Sequence, residues 1–174
     1  GAFLHYTPAH AIVLNVDKEH LDYYKTFAQV RRAFLGFIGN VAPGGVVVLN
    51  RDDKILRSMR AKITAVAKKN DLILSWFSLK DFNAARVRNS MRIPGEHNVS
   101  NAYAVYVMLR ALGAGASDIL SAFSRYMGSW RRMEHRGKMH NKKLKIRAEV
   151  YDDYGHHPTE VKATLRAFRD WYPD

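Results

Sequence analysis

Hydrophobic positions change period several times along the chain, and each change predicts an element. Residues 11–16 (AIVLNV) form an apolar run of the kind a parallel strand shows when both faces are buried. Thr26 is a good helix cap, and behind it Phe27, Val30, Phe34, Phe37 and Ile38 recur at helical spacing until Gly39-Asn40. Pro43-Gly44-Gly45 turns the chain into a second buried strand, 46–49. The stretch from Asn50 to Asp53 then caps a helix striped by Ile55, Met59, Ile63 and Val66, and a third strand begins at 72–74. Strand, helix, strand, helix, strand with short joints predicts an α/β fold on a parallel sheet. The aromatic and Met stripes are read as core.

Residues 80–90 carry no clear period, and 88–91 (RNSM) joins directly to Arg92. Helical spacing resumes through Val105, Leu109 and Leu112 and stops at Gly113. Ser117 or Asp118 is expected to cap a further short helix ending near Met127. Asn141-Lys142 reads as a turn between short basic strands. In the second of these, Leu144, Ile146, Ala148 and Val150 alternate with Lys145, Arg147 and Glu149. Val161, Leu165 and Phe168 then return to helical spacing, with Ala163, Ala167 and Trp171 between them. Pro158 suits the first helical position, and Glu160 sits in the first turn, near the positive helix end.

The corner between that strand and helix, 151–160 (YDDYGHHPTE), concentrates carboxylates, phenols and imidazoles beside a Gly and a Pro. In open α/β sheets the crevice at the carboxyl ends of strands is where ligands bind. The plain alternative is a loop whose His pair caps a helix.

The chain of 174 residues is long enough for one domain, or one and a fraction, and 47% apolar residues suffice for a packed core. It has no cysteine, hence neither a disulfide framework nor a thiolate metal site. No apolar run is long enough to cross a bilayer, Gly1-Ala2-Phe3 does not read as a signal peptide, and a cytoplasmic location is the simplest expectation. Lys and Arg total 28 against 16 acids, a net charge of +12 that invites a polyanionic partner. The basic residues are scattered, and no recognition-helix, zinc-finger or RNP-type pattern goes with them. A nucleic-acid-binding module therefore stays a secondary expectation.

Four stretches carry more specific chemistry. Segment 15–22 (NVDKEHLD) follows the first strand. Segment 92–104 (RIPGEHNVSNAYA) sets Asn98 and Asn101 one helical turn apart, two carboxamides on one face with donors and acceptors suited to an adenine edge. Segment 128–134 (GSWRRME) holds Arg132, a guanidinium matched to phosphate, beside Arg131, for which plain solvation is the simpler reading. The fourth is the corner itself. In this order the four resemble the motifs of the Mur ligases, above all the branch that adds the first amino acid to UDP-N-acetylmuramate and the related muropeptide-recycling branch. Two departures are mild: Glu19 stands where the family usually has Asp, and Met133 where Phe is commoner.

The resemblance implies the rear part of a parallel-sheet, P-loop-type ATP-binding domain over 1–131, followed over 132–174 by the start of a Rossmann-like C-terminal domain. It implies an ATP-dependent ligase in which ATP phosphorylates a carboxylate and an amine attacks the acyl phosphate, with Mg²⁺ neutralising the transferring phosphoryl group. UDP-N-acetylmuramate and L-alanine are the implied substrates, with a tripeptide as the alternative amine. Asn98, Asn101, Arg132 and Asp153 are carried over as nucleotide contacts. Tyr154, His156 and His157 fall near the amino-acid and acyl-phosphate centre, and His20 becomes a Mg²⁺ ligand, unusual for a hard cation that prefers oxygen. A zinc site at His156, His157 and Glu160 is a weaker idea, because the spacing fits neither H-E-x-x-H nor H-x-x-E-H. The family's β-hairpin after the third strand has no room near 88–91. The 174 residues also hold no G-x-x-G-K-[ST] loop, so the chain is expected to be an internal piece of a ligase, inactive alone. Val161, Leu165 and Phe168 are then expected to lie exposed.

Overall fold

The structure, a computed structural model, describes residues 2–18, 23–143 and 145–173. Its centre is a parallel sheet in the order β1 (Ala11–Val13), β2 (Val46–Asn50), β3 (Ile73–Phe77). Strand β2 is flanked on both sides, and its side chains alternate between two cores, as the two-residue strand period requires. Val47 and Leu49 join the layer containing α1 (Phe27–Gly39), α2 (Lys54–Ser58) and α3 (Arg60–Lys69). Val46 and Val48 join the opposite layer of α4 (Phe82–Ser90), α5 (Glu96–Ala111) and α6 (Ala116–Arg125). All four of these β2 residues are buried, which explains an unbroken apolar run rather than an alternating one.

Several boundaries differ from expectation for local reasons. Strand β1 stops at Val13, where pairing with Leu49 ends, and Leu14 and Asn15 leave the sheet to line a cleft. The helix after Asp53 is two short helices sharing the buried Met59. The Ser58 hydroxyl donates at 2.7 Å to the Ile55 carbonyl, which also accepts from the Met59 amide at 3.0 Å. Residues 82–90 form α4, with only Ala84 and Val87 buried, too few to register as a stripe. Helix α6 starts from Gly115, not Ser117 or Asp118. A Cβ on residue 115 would lie 2.6 Å from the Asp118 carboxylate, which would have to turn aside for it. Thr26 and Asp53 cap α1 and α2 through the Gln29 and Leu56 amides, as expected.

Beyond α6 the chain forms an antiparallel hairpin, β4 (Glu134–Asn141) with β5 (Ile146–Asp152), then α7 (Pro158–Trp171). Strand β5 pairs only with β4 among the described residues, so the corner at 152–157 closes a hairpin rather than a parallel strand. What faces it is the start of α5. Gly95 has φ of +100°, and a Cβ there would lie 2.9 Å from the Ala167 Cβ of α7 and 2.8 Å from the His97 ring. This bare backbone lets α7 seat against α5 and brings the corner alongside the sheet. On the outward face of α7, Val161 and Leu165 are exposed as expected, whereas Phe168 is partly covered by the Tyr151 ring, 4.7 Å away. No described helix is long and apolar enough to cross a membrane.

Candidate functional site

The exit of β1, the first two turns of α5, the end of α6 and the corner with α7 enclose a cleft of about 670 Å³. Leu14, Met91, Ile93, Ala102 and Phe123 supply apolar wall, and Asn15, His97, Asn98, Asn101, Arg132, Asp153 and Thr159 supply polar groups. A roomier hollow of about 720 Å³ lies on the outer face of α7, between Val161, Leu165 and the charged ends of Lys162, Arg166 and Arg169. The smaller cleft is the better candidate, because apolar walls with a few convergent polar groups mark ligand sites.

All four nucleotide candidates line this cleft. The Asn98 amide donates to the Pro94 carbonyl at 2.6 Å and its nitrogen lies 3.9 Å from the Met133 sulfur. What Asn98 retains for a ligand is mainly its carbonyl oxygen. Asn101, exposed one turn later, keeps both donor and acceptor. Asp153 is anchored by backbone: one oxygen accepts from the Met133 amide at 3.0 Å, the other from Gly155 at 2.7 Å. A Cβ at 155 would lie 2.8 Å from that second oxygen and would push the carboxylate aside. Arg132 is about half exposed and faces Glu160 at 3.8 Å, a long pair that leaves its donors available.

The corner is laced to the loop before β4. The Tyr154 amide donates to the Arg131 carbonyl at 2.8 Å, Arg131 pairs with Asp152 at 3.4 Å, and the Glu134 carboxylate accepts from the Arg131 amide at 2.9 Å. That amide, with Arg136, holds the Glu134 carboxyl below the usual range. Arg131 and Met133 carry φ of 54° and 47°, so the chain here bends sharply enough to aim Arg132 into the cleft.

The remaining candidates are placed differently. Tyr154, His156 and His157 do not line the cleft. Tyr154 is exposed, with the Arg131 guanidinium 4.9 Å from its ring centre, and His156 faces the hollow outside α7. His157 caps α7, its Nδ1 accepting from the Thr159 amide at 3.3 Å. The Glu160 carboxylate reaches back to the His156 amide at 3.3 Å, so both imidazoles flank an ordinary capped helix start. His20 lies outside the described residues. Among those described, no group of three or more His, Cys, Asp or Glu could hold a metal ion, and His156, His157 and Glu160 form none.

Two cleft groups were not singled out from sequence as functional. The Thr159 hydroxyl donates to Asp17 at 3.1 Å, joining the β1 exit to the first turn of α7 across 142 residues of chain. Nothing in the sequence points to that pair. His97 had a signal, its place in the Pro-Gly-x-His-Asn motif. It is half-buried, and burial pushes its imidazole below the ordinary range, with Asp153 acting upward and Arg132 downward. The sign is definite. Above the unfolded-state value of about 6.5 both states are neutral. As pH falls through it the unfolded chain takes up the proton first, so stability is lost between that pH and the lower folded value. Denaturant midpoints should fall more between pH 7.5 and 5.5 in the native chain than in His97→Gln; equal falls would contradict the burial assigned to this ring.

Comparison with known proteins now decides the family. The profile described as the Mur ligase middle domain matches residues 2–109, more than half of the chain. The chain belongs to the Mur ligase family. A UDP-N-acetylmuramate–L-alanine ligase of Aquifex aeolicus is 36% identical over 189 aligned residues, which take in 100% of this chain and 40% of the relative. Among solved structures, MurF from Acinetobacter baumannii superposes with a TM-score of 0.68 at 20% identity, covering 95% of this chain and 38% of that one. An FPGS–AMPPCP complex gives 0.69 at 12% identity, covering 98% and 45%. At those identities the two structures establish the Mur ligase fold alone. The chain thus spans about 40% of the length of the curated relatives it matches.

Proposed function

We propose that this Mur ligase chain forms the nucleotide side of an ATP-dependent ligase that joins L-alanine to UDP-N-acetylmuramate in peptidoglycan synthesis. One observation carries the reading: Asn98, Asn101, Arg132 and Asp153, from three separate stretches of sequence, converge on a single part-apolar cleft. Identity of 36% to a relative bearing that name supports the choice of substrates.

In this reading the apolar wall takes the adenine ring, the Asn98 oxygen and the Asn101 amide meet its polar edge, and Arg132 meets a phosphate oxygen. Asp153 acts by fixing the backbone at Met133 and Gly155, which sets Arg132 and the corner in place. The γ-phosphoryl group passes to the muramate carboxylate, giving ADP and an acyl phosphate. The alanine amine attacks that carbonyl, phosphate leaves and the nitrogen loses a proton. In this reading Tyr154, His156 and His157, which lie outside the cleft, serve the amine substrate rather than the nucleotide. Mg²⁺ enters the scheme through His20, outside the described residues. No described group of side chains fits the ion, and no step is derived through it. A division of the chain at 131/132 is part of the same reading, and the positive φ of Gly128, Arg131 and Met133 beside it supports it. The activity belongs in the cytoplasm, where ATP is available.

The test is phosphate release by the complete gene product with ATP, UDP-N-acetylmuramate and a panel of amines. Release that needs both the UDP-sugar and L-alanine is expected. Release with a tripeptide in place of alanine would move the chain to the recycling branch, and none with any amine would overturn the ligase reading. The 174 residues alone, holding no Gly-Lys-Ser/Thr loop, are expected to release none.

A further inference from the structure

We propose that the outer face of the layer formed by α1, α2 and α3 docks the protein on an anionic lipid bilayer. The inference goes beyond the ligase reading and does not depend on it. Residues 54–69 (KILRSMRAKITAVAKK) contain no acid, and Lys54, Arg57, Arg60, Lys62, Lys68 and Lys69 are all exposed. Lys25 and Arg32, exposed just before α1 and on it, extend the same layer, because α1 and α3 share one core. Asp52 and Asp53 are the sole acids from Tyr23 to Asn70, and both are engaged by the protein itself. Asp52 accepts from the Ser78 hydroxyl at 2.7 Å and the Leu79 amide at 2.8 Å, and Asp53 caps α2. Among the described residues, the ion pairs of Lys and Arg all lie elsewhere, and none of these cations faces a carboxylate. A merely solvated face mixes the two signs. This one does not.

A field of one sign attracts a polyanion, and the shape of the face decides which. Helices α1 and α3 lie flat, with Val30, Ala33, Ile38, Ile63 and Ala67 buried, so neither projects as a groove-reading helix would. No large hydrophobic of α1, α2 or α3 is exposed, and the Arg60 guanidinium covers Trp76, 5.5 Å from its ring centre. The face therefore offers no platform on which bases could stack. Long cationic side chains spread over a flat layer match a plane of lipid phosphates, which all of them can reach at once. With nothing apolar to insert, the attachment is electrostatic and reversible. Helix α5, which carries Asn98 and Asn101, packs on the other side of β2, so a docked protein keeps its cleft toward solvent.

The experiment is co-sedimentation of the complete gene product with vesicles of phosphatidylcholine, alone or mixed two to one with phosphatidylglycerol. Binding to the anionic vesicles and not to the neutral ones is expected. It should vanish as salt is raised from about 0.05 M to about 0.5 M, where screening shortens to a few ångströms. Arg57→Gln, Lys62→Gln, Lys68→Gln and Lys69→Gln made together should weaken it roughly tenfold or more. Lys142→Gln, Lys143→Gln, Lys162→Gln and Arg166→Gln remove the same charge from the hairpin and α7, and should leave binding within about twofold of native. Unchanged melting temperatures establish that both variants are folded. No preference for the anionic vesicles, or equal weakening by the two sets, overturns the proposal. A DNA duplex is added last, at a phosphate concentration equal to that of the lipid. Vesicle binding that survives it supports the bilayer, whereas a duplex that strips the native protein from the vesicles assigns the face to nucleic acid and overturns the proposal.

Discussion

Alanine at position 95 is expected to release α7 from α5 while leaving the parallel sheet folded. At φ of +100° an L side chain is strained by about 1–3 kcal/mol. The new methyl would also meet Ala167 at 2.9 Å and the His97 ring at 2.8 Å, overpacking that costs about another 1–3 kcal/mol. Gly44 separates the two effects. It has φ of +75°, but a Cβ there meets nothing within 4 Å, so Gly44→Ala carries the strain without the clash. Hydrogen exchange should show α7 amides losing protection in Gly95→Ala, β2 amides keeping theirs, and no such loss in Gly44→Ala. If the two substitutions behave alike, the docking of α7 does not depend on the bare backbone at 95.

The second large effect is expected at Asp153. Its carboxylate accepts two backbone hydrogen bonds, from Met133 and Gly155, and bonds to a charged acceptor contribute about 1.5–3 kcal/mol each. Met133 itself is buried, so its amide has no ready replacement in water. Asp153→Ala should therefore destabilise by about 3 kcal/mol or more. Asp153→Asn, which keeps one acceptor oxygen, should lie between. Urea midpoints measure the cost, and exchange at the Met133 and Gly155 amides localises it. A loss of nucleoside binding with no change in stability would instead make Asp153 a direct ligand contact rather than the brace of Arg132 and the corner.

How far the sequence could be read depended on how local the cause was. The run VVVL in β2 reads as a strand buried on both faces, and Thr26, Asp53 and Pro158 announce helix starts because a cap is made within three residues. The break at Met59 was hidden because the apolar stripe continues across it. Helix α4 was hidden because its buried face is just Ala84 and Val87.

The corner 151–160 could be located but not oriented. Composition gathers its polar groups, yet the structure sends Asp153, Thr159 and Glu160 toward the cleft and Tyr154 and His156 away from it. Loops have no period from which a facing direction could be computed. The bonds that decide it, Asp153 to Met133 and Thr159 to Asp17, join residues 20 and 142 positions apart.

The most direct test of the central claim, that this cleft is the nucleotide site, is an amide chemical-shift map of the native chain titrated with ADP. The account predicts perturbations centred on His97, Asn98, Asn101, Arg132 and Asp153, with the outer face of α7 around Val161 and Leu165 unmoved. Perturbations centred instead on that outer face or on the basic β4–β5 hairpin, or none at saturating ADP, would contradict it.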